Sequence, residues 1–228
     1  MNSIFLIEDD IAIAEQIEQH FGHWNLQVTI ASDFQQILHD FQILQPDLVI
    51  IDIQLPYFDG FHWCREIRLQ SQVPIIFLSS RDQPLDMIMA MQLGADDYIQ
   101  KPFHSDVLLS KVQAILRRTY EYSTHQTDST LWNGATIDYA SSILSYQNKE
   151  LQLTKNEQFI LKILLEHENE IVSRDDLMRR LWDDERFVND NTLTVNVNRL
   201  RTKLKEIGLD DVIETKKGLG YMAIRKER

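Results

Sequence analysis

Residues 48–52 read Leu48-Val49-Ile50-Ile51-Asp52, four branched apolar side chains that run into one carboxylate. A continuous apolar run of this length predicts a strand buried on both faces. Two other runs share the plan. Ile4-Phe5-Leu6-Ile7 ends on Glu8-Asp9-Asp10, and Pro74-Ile75-Ile76-Phe77-Leu78 ends on Ser79-Ser80. Gln27–Ile30 and Tyr98–Gln100 are weaker strands, the second followed by Lys101-Pro102. Helical spacing lies between them over Ile11–Phe21, Phe34–Leu44, Phe61–Leu69, Leu85–Leu93 and Val107–Arg118. Five strands alternating with five helices predict a parallel sheet with helices on both faces.

The strand ends carry the chemistry. In open α/β sheets ligands bind at the carboxyl ends of the strands, where the strand order reverses. Carboxylates gathered there repel one another unless a cation joins them, and Mg²⁺ with its all-oxygen preference suits that role. Taken alone, the tripeptide Glu8-Asp9-Asp10 reads first as a solvated loop that caps the next helix. Asp52, a hydroxyl at Ser79 and an ammonium at Lys101, each ending a different strand, add the parts of a phosphoryl-transfer site. An Asp carboxylate can be the nucleophile toward phosphorus, and cations stabilise charge on the transferring oxygens.

Further along, residues 121–130 are polar with no apolar period and predict a linker. They divide the 228-residue chain into segments 1–120 and 131–228. The second segment begins with short strands (Thr136–Asp138, Ile143–Tyr146, Glu150–Leu153). Helices follow at Lys155–His167, Arg174–Leu181 and Asn191–Ile207, and a hairpin at Ile213–Ile224 has Gly218 and Gly220 at its tip. This order predicts an α+β domain.

Net charge is −12, which on its face excludes nucleic acid. Its distribution reverses that reading. Residues 1–130 carry 7 basic and 18 acidic groups, whereas residues 198–228 carry 9 basic and 5 acidic. A basic end on a near-neutral half can bind a polyanion that the acidic half repels. No run approaches the ~18 apolar residues of a membrane span, and no basic n-region precedes an apolar core, so a cytoplasmic protein without membrane insertion is expected. The single Cys64 excludes an internal disulfide and a multi-cysteine metal site. It reads as buried filler, and Trp24, Trp63, Trp132 and Trp182 read as core or interface residues. The His residues show no metal-ligand spacing.

Within the helix Asn191–Ile207, Leu193, Val197, Leu200, Leu204 and Ile207 form one apolar stripe at 100° per residue. The opposite side carries Asn191, Val195, Asn198, Arg199 and Thr202, with Arg201, Lys203 and Lys205 flanking it. Asn can pair with adenine, Arg with guanine, and Val or the Thr methyl can touch thymine methyls. On this reading Asn198 and Arg199 contact bases with Thr202 beside them, while Arg201, Lys216 and Lys217 contact phosphates.

The ordered set Ile7-Glu8-Asp9-Asp10, Ile51-Asp52-Ile53-Gln54-Leu55-Pro56, Asp59-Gly60, Leu78-Ser79-Ser80-Arg81, Gly94-Ala95-Asp96-Asp97-Tyr98 and Lys101-Pro102-Phe103 resembles the receiver domain of two-component response regulators. The resemblance implies a flavodoxin-like five-stranded parallel sheet and a phosphoacceptor at Asp52, served by a sensor histidine kinase. It also implies Mg²⁺ on Glu8, Asp9, Asp52 and the Gln54 backbone carbonyl, switch residues Ser79 and Tyr98, Lys101 on the phosphoryl group, and a cis Lys101–Pro102 peptide. Dimerisation on phosphorylation is implied through the fourth helix, fifth strand and fifth helix, with Asp96, Asp97, Lys111, Arg117 and Arg118 as cross-subunit ion pairs. Family members often have Thr at Ser79, Ala at Ser80 and Glu at Val107. A phosphohydrolase of dehalogenase type needs an acid where Gln54 stands.

Leu177–Trp182, Asn191–Arg201 and Gly218-Leu219-Gly220-Tyr221 resemble the winged helix-turn-helix domain of the OmpR/PhoB class. That implies promoter DNA as ligand, binding to direct repeats, and RNA polymerase contact by Trp182–Asp190, where Asp183-Asp184-Glu185 reads equally as a solvated turn. The finer resemblance is to Gram-positive regulators that respond to bacitracin and cationic antimicrobial peptides. It implies control of envelope-stress and peptide-resistance genes. Two other functions fit the residues alone: a Mg²⁺-dependent phosphohydrolase with an accessory domain, and a regulator that binds DNA without phosphorylation.

Overall fold

The apolar runs form the strands they predict. In the computed structural model, which describes residues 2–80, 83–121, 129–182 and 190–226, β1 (Asn2–Ile7), β2 (Leu26–Ile30), β3 (Leu48–Asp52), β4 (Ile75–Ser79) and β5 (Asp97–Gln100) pair in parallel in the order β2-β1-β3-β4-β5. Helices α1 (Ile11–Gly22), α2 (Ile37–Leu44), α3 (Gly60–Arg68), α4 (Pro84–Gln92) and α5 (Ser105–Leu116) connect them. Every residue of β3 and β4 is buried, as two-sided coverage requires. The order reverses between β1 and β3, so the residues that leave those two strands, Glu8-Asp9 and Asp52, meet at the switch point.

Local chemistry sets the helix starts. Asp10 caps α1, accepting from the Ala12 and Ile13 amides at 3.0 and 3.2 Å. Asp59 caps α3 through the His62 amide at 2.8 Å. Helix α2 begins at Ile37 rather than Phe34, because Asp33 binds the Gln35 amide and holds 33–36 in a turn. Helix α5 ends at Leu116, and Arg117–Glu121 forms a π-helical turn. Gly60 has no room for a side chain: a Cβ would stand 2.1 Å from the Asp52 carbonyl oxygen. The β3–α3 connection folds that tightly over the end of β3.

The chain divides into two compact units, Met1–Leu116 and Arg117–Arg228, so Arg117 and Arg118 belong with the second. That unit opens with an antiparallel sheet, β6 (Ser129–Trp132), β7 (Ala135–Asp138), β8 (Ile143–Tyr146) and β9 (Lys149–Gln152). Strand β6 starts inside the segment expected as linker, and residues 122–128 lie outside the described ones. Helix α6 (Lys155–Glu166), β10 (Val172–Ser173), α7 (Arg174–Trp182), α8 (Asp190–Glu206), β11 (Ile213–Lys216) and β12 (Gly220–Ala223) complete it. The strands pair as β10-β12-β11. Leu193, Val197, Leu200, Leu204 and Ile207 of the expected stripe are all buried in one core with Ile160, Leu164, Leu177 and Trp132.

Within that core lies one fully buried carboxylate. Glu157 closes a capping box with Thr154 at the start of α6, and its oxygens reach Arg199 Nε at 2.5 Å and Lys203 Nζ at 2.8 Å. Burial pushes its carboxyl up, but Arg199 and Lys203 outweigh that and hold it below its ordinary 4.5. A carboxyl lowered by folding stabilises the fold above its unfolded value and loses that contribution as pH falls through the folded value. Glu157→Gln is therefore expected to cost about 3–5 kcal/mol at neutral pH, because it strands two cations on α8. The gap to wild type in chemical unfolding should narrow below about pH 4.5. A gap constant from pH 7 to pH 3 would show that the charge is not the cause. Arg199→Ala is expected to lower the stability of the same unit and to weaken binding to all DNA alike.

Candidate phosphoacceptor site and nucleic-acid face

Lys101, one residue beyond β5, is the cation around which the first site is built. Its Nζ stands 2.7 Å from Asp52 Oδ2 and 2.6 Å from Glu8 Oε2, with all three side chains at most 9% exposed. The second oxygen of Asp52 accepts the Gln54 amide at 3.1 Å, and Glu8 Oε1 accepts the Asp10 amide at 3.3 Å. Burial pulls the Lys101 ammonium down, but its bonds to Asp52 and Glu8 raise it above its ordinary value. Burial pushes the Glu8 carboxyl up and the neighbouring Asp52 charge adds to this, against the pull of Lys101.

One ammonium cannot balance the three acids here. Oxygens of Glu8, Asp9 and Asp52 lie within 4.8 Å of one another, the first and last buried and Asp9 exposed. Glu8 Oε2 is buried, and the one cation close to it, Lys101, is shared with Asp52. An all-oxygen, net-negative pocket with such an atom fits Mg²⁺. Asp10 is not part of it: it is the helix cap that the alternative reading foresaw, whereas Glu8 and Asp9 turn to the site. The contact seen at Gln54 is through its N–H.

Ser79 ends β4, buried, one residue past the Asp52–Leu78 pair, and Tyr98 is half-buried on β5 opposite Phe77. The Lys101–Pro102 peptide is cis. Arg81 lies outside the described residues.

The charged groups expected at a dimer surface are instead used within the chain. Asp96 is fully buried and binds Arg68 at 3.1 Å and the Ile75 amide at 2.9 Å. Asp97 and Lys111 form a buried pair at 2.6 Å. Arg118 is buried, donating to the Leu181 carbonyl and the Asn156 side chain, and Arg117 is half-buried in the π turn. Spacing along a helix identifies charges but not the partner across the fold. Helix α4 exposes two large apolar side chains, Leu85 at 72% and Met89 at 43%, while Met87 and Met91 fill the core. Trp24 is 55% exposed rather than core; Trp63, Trp132 and Cys64 are buried.

On α8 the open face carries Asn198, Thr202 and Lys205, with Val195 half-buried beside them. Arg199 is not on it: its side chain is 10% exposed and bound to Glu157 and Thr154, so it holds helix to helix and does not reach a base. Arg201 is likewise committed. It donates to the Ile213 carbonyl at 2.9 Å and Thr215 Oγ1 at 2.8 Å, and lies over the Tyr221 ring. Arg174 covers the same ring and binds its hydroxyl at 2.6 Å, which ties β12 to α7 and α8. Lys217 is exposed, and Lys216 pairs with Glu214 at 2.6 Å. Sequence reasoning missed Glu157 and Arg174. The Thr154-x-x-Glu157 spacing was a signal for the first; nothing local marks the second. Trp182–Asp190, the expected polymerase contact, falls largely outside the described residues.

Residues 4–113 match the response regulator receiver domain, and residues 148–223 match the C-terminal domain of transcriptional regulatory proteins. The sensory transduction protein BceR of Halalkalibacterium halodurans is 60% identical over 98% of this chain and 96% of its own. The response regulator protein GraR of Staphylococcus aureus strain MRSA252 is 50% identical over 96% and 98%. A solved mutant of RitR covers 99% of this chain and all of its own with a TM-score of 0.81, at 21% identity a likeness of fold alone. No described helix is long and apolar enough to cross a membrane. With both of its halves matched in order and a relative this similar along its whole length, the chain belongs to the response regulators of the OmpR/PhoB type, receiver first and DNA-binding winged helix second.

Proposed function

We propose that Asp52 is the acceptor through which a sensor histidine kinase sets the DNA affinity of the winged helix. The observation that carries this is the sharing of Lys101 between Asp52 and Glu8. Because Glu8 retains the ammonium, an Asp52 oxygen can turn to phosphorus without leaving a buried cation bare. That oxygen attacks the phosphorus of the kinase phosphohistidine. The O–P bond forms, the P–N bond breaks, and the imidazole nitrogen leaves with the electron pair. Lys101 then serves the phosphoryl oxygens with a charge-assisted bond. Mg²⁺, held by Glu8, Asp9, Asp52 and the Gln54 carbonyl, supplies positive charge against those oxygens when bound. Gln54 places no acid two residues after Asp52, so the adduct is a signal rather than a turnover intermediate.

In this reading Ser79 and Tyr98 move toward the phosphoryl group and a two-state receiver repacks. Dimerisation uses the exposed Leu85 and Met89 of α4 more than charges already paired inside the chain. RNA polymerase is a further partner. The branch resembled, with BceR and GraR in it, points to genes of envelope stress and antimicrobial-peptide resistance, in the cytoplasm of a Gram-positive cell.

Two outcomes are expected. With acetyl phosphate and Mg²⁺, intact mass should rise by one phosphoryl group in the wild type and stay unchanged in Asp52→Asn, whose amide is isosteric. Glu8→Gln with Asp9→Asn should block the gain as well. A stable adduct on Asp52→Asn would overturn the acceptor, and normal labelling of the double variant would overturn the metal role.

The second concerns DNA. Two winged helices on one duplex gain affinity by effective concentration, so phosphorylation should tighten binding to direct repeats about one turn (~10–10.5 bp) apart. Inserting ~5 bp should abolish that gain. Lys217→Ala should weaken all sequences alike and lower the slope of log affinity against log salt by about 1. Unchanged affinity on insertion, in titrations at several salt concentrations, would remove the cooperative model.

A further inference from the structure

The open face of α8 has a chemical polarity that residue types alone do not give. Four side chains near it are turned inward by their bonds. Asn196 is fully buried and donates to the Thr192 carbonyl at 2.9 Å; Thr194 Oγ1 accepts from Arg174 at 2.9 Å. Arg199 binds Glu157, and Arg201 is held on β11. On one side of the helix this leaves Val195, Asn198 and Thr202, spaced three and four residues apart, with Lys205 beyond them.

The bonds of these residues fix what they show. Arg201 Nη1 faces Asn198 Oδ1 at 3.5 Å. A guanidinium only donates, so the Asn198 amide must present its oxygen to Arg201 and its NH₂ outward. Thr202 Oγ1 donates to the Asn198 carbonyl at 3.1 Å, so its hydroxyl hydrogen is spent on the backbone. Val195 offers only methyl groups. Seven residues at 1.5 Å rise span about 10 Å, the reach of roughly three base pairs.

We propose that α8 reads thymine methyls on either side of an acceptor edge, with Val195 and Thr202 on the methyls and Asn198 as donor. Arg201 is the positioning residue, because it occupies the oxygen that Asn198 would need to pair with adenine through both N6 and N7. Asn198 then favours guanine N7 and O6, or thymine O4, over adenine. This rests on the DNA-binding reading above and adds the class of sequence.

The full chain is used to select duplexes from a random pool at fixed salt, and the selected half-site is then altered chemically. Replacing thymine by uracil removes only the methyl. At two positions about three base pairs apart this should lower affinity about fourfold each, the worth of one buried methyl group. Val195→Ala should erase the sensitivity at one position and Thr202→Ser at the other. Arg201→Met frees the Asn198 oxygen and should raise tolerance of adenine at the middle position. The uracil series needs no variant, so a poorly folded Arg201→Met does not blunt the test. If no sequence is enriched, the DNA-reading function falls and this inference with it. If a sequence is enriched yet uracil binds as well as thymine, or the wild type prefers adenine in the middle, only this inference is overturned.

Discussion

The constraint on which both units turn is the balance of buried charge. In the receiver, one ammonium at Lys101 answers two buried carboxylates, Glu8 and Asp52, with exposed Asp9 beside them. In the winged helix, one buried carboxylate at Glu157 is answered by two cations, Arg199 and Lys203. The chemistry is alike and the sums are opposite. A charge taken from water costs several kcal/mol unless it is paired and hydrogen-bonded. The Glu157 cluster meets that condition internally, as a capping box plus two ion pairs, so it fixes α6 against α8 and asks nothing of solvent. The Lys101 cluster does not meet it: with Asp9 beside it, the pocket stays net negative.

That opening is placed by topology. The strands of the receiver are ordinary buried runs, but their order puts the ends of β1 and β3 side by side and the end of β4 next to Asp52. Gly60 lets the following helix begin against the Asp52 carbonyl, a fit no other residue permits. The ends of β1, β3, β4 and β5, far apart in sequence, thus converge on one carboxylate.

How much of this was legible depended on whether a residue's role is set by its neighbours in sequence or across the fold. The runs at Ile4, Leu48 and Pro74 announce their strands because burial on both faces demands apolar residues throughout. The stripe from Leu193 to Ile207 announces its helix for the same reason. The cluster of Glu8, Asp52, Ser79 and Lys101 was legible because each of its groups ends a strand. Charges on helices were not. Asp96, Asp97, Lys111 and Arg118 look like a surface set, yet each finds its partner on another element of its own chain. Arg199 and Asn198 are adjacent in sequence and opposite in fate, one buried on Glu157 and the other open. Strand β6 was missed since Ser129-Thr130 carries no apolar signal, and α2 was overextended because the turn at Asp33 lies within an apolar period.

The same distinction reshapes how the basic end of the chain is understood. A count of 9 basic residues over 198–228 suggests a surface that grips phosphate by number. In the fold, Arg199 and Lys203 neutralise Glu157, Arg201 spans to β11 and Tyr221, and Lys216 pairs with Glu214. Part of this charge therefore builds the domain, while Lys205, Lys217, Arg225 and Lys226 face outward. Non-specific affinity scales with the number of phosphates neutralised, so the outward cations set it, while the committed ones set the shape that carries them.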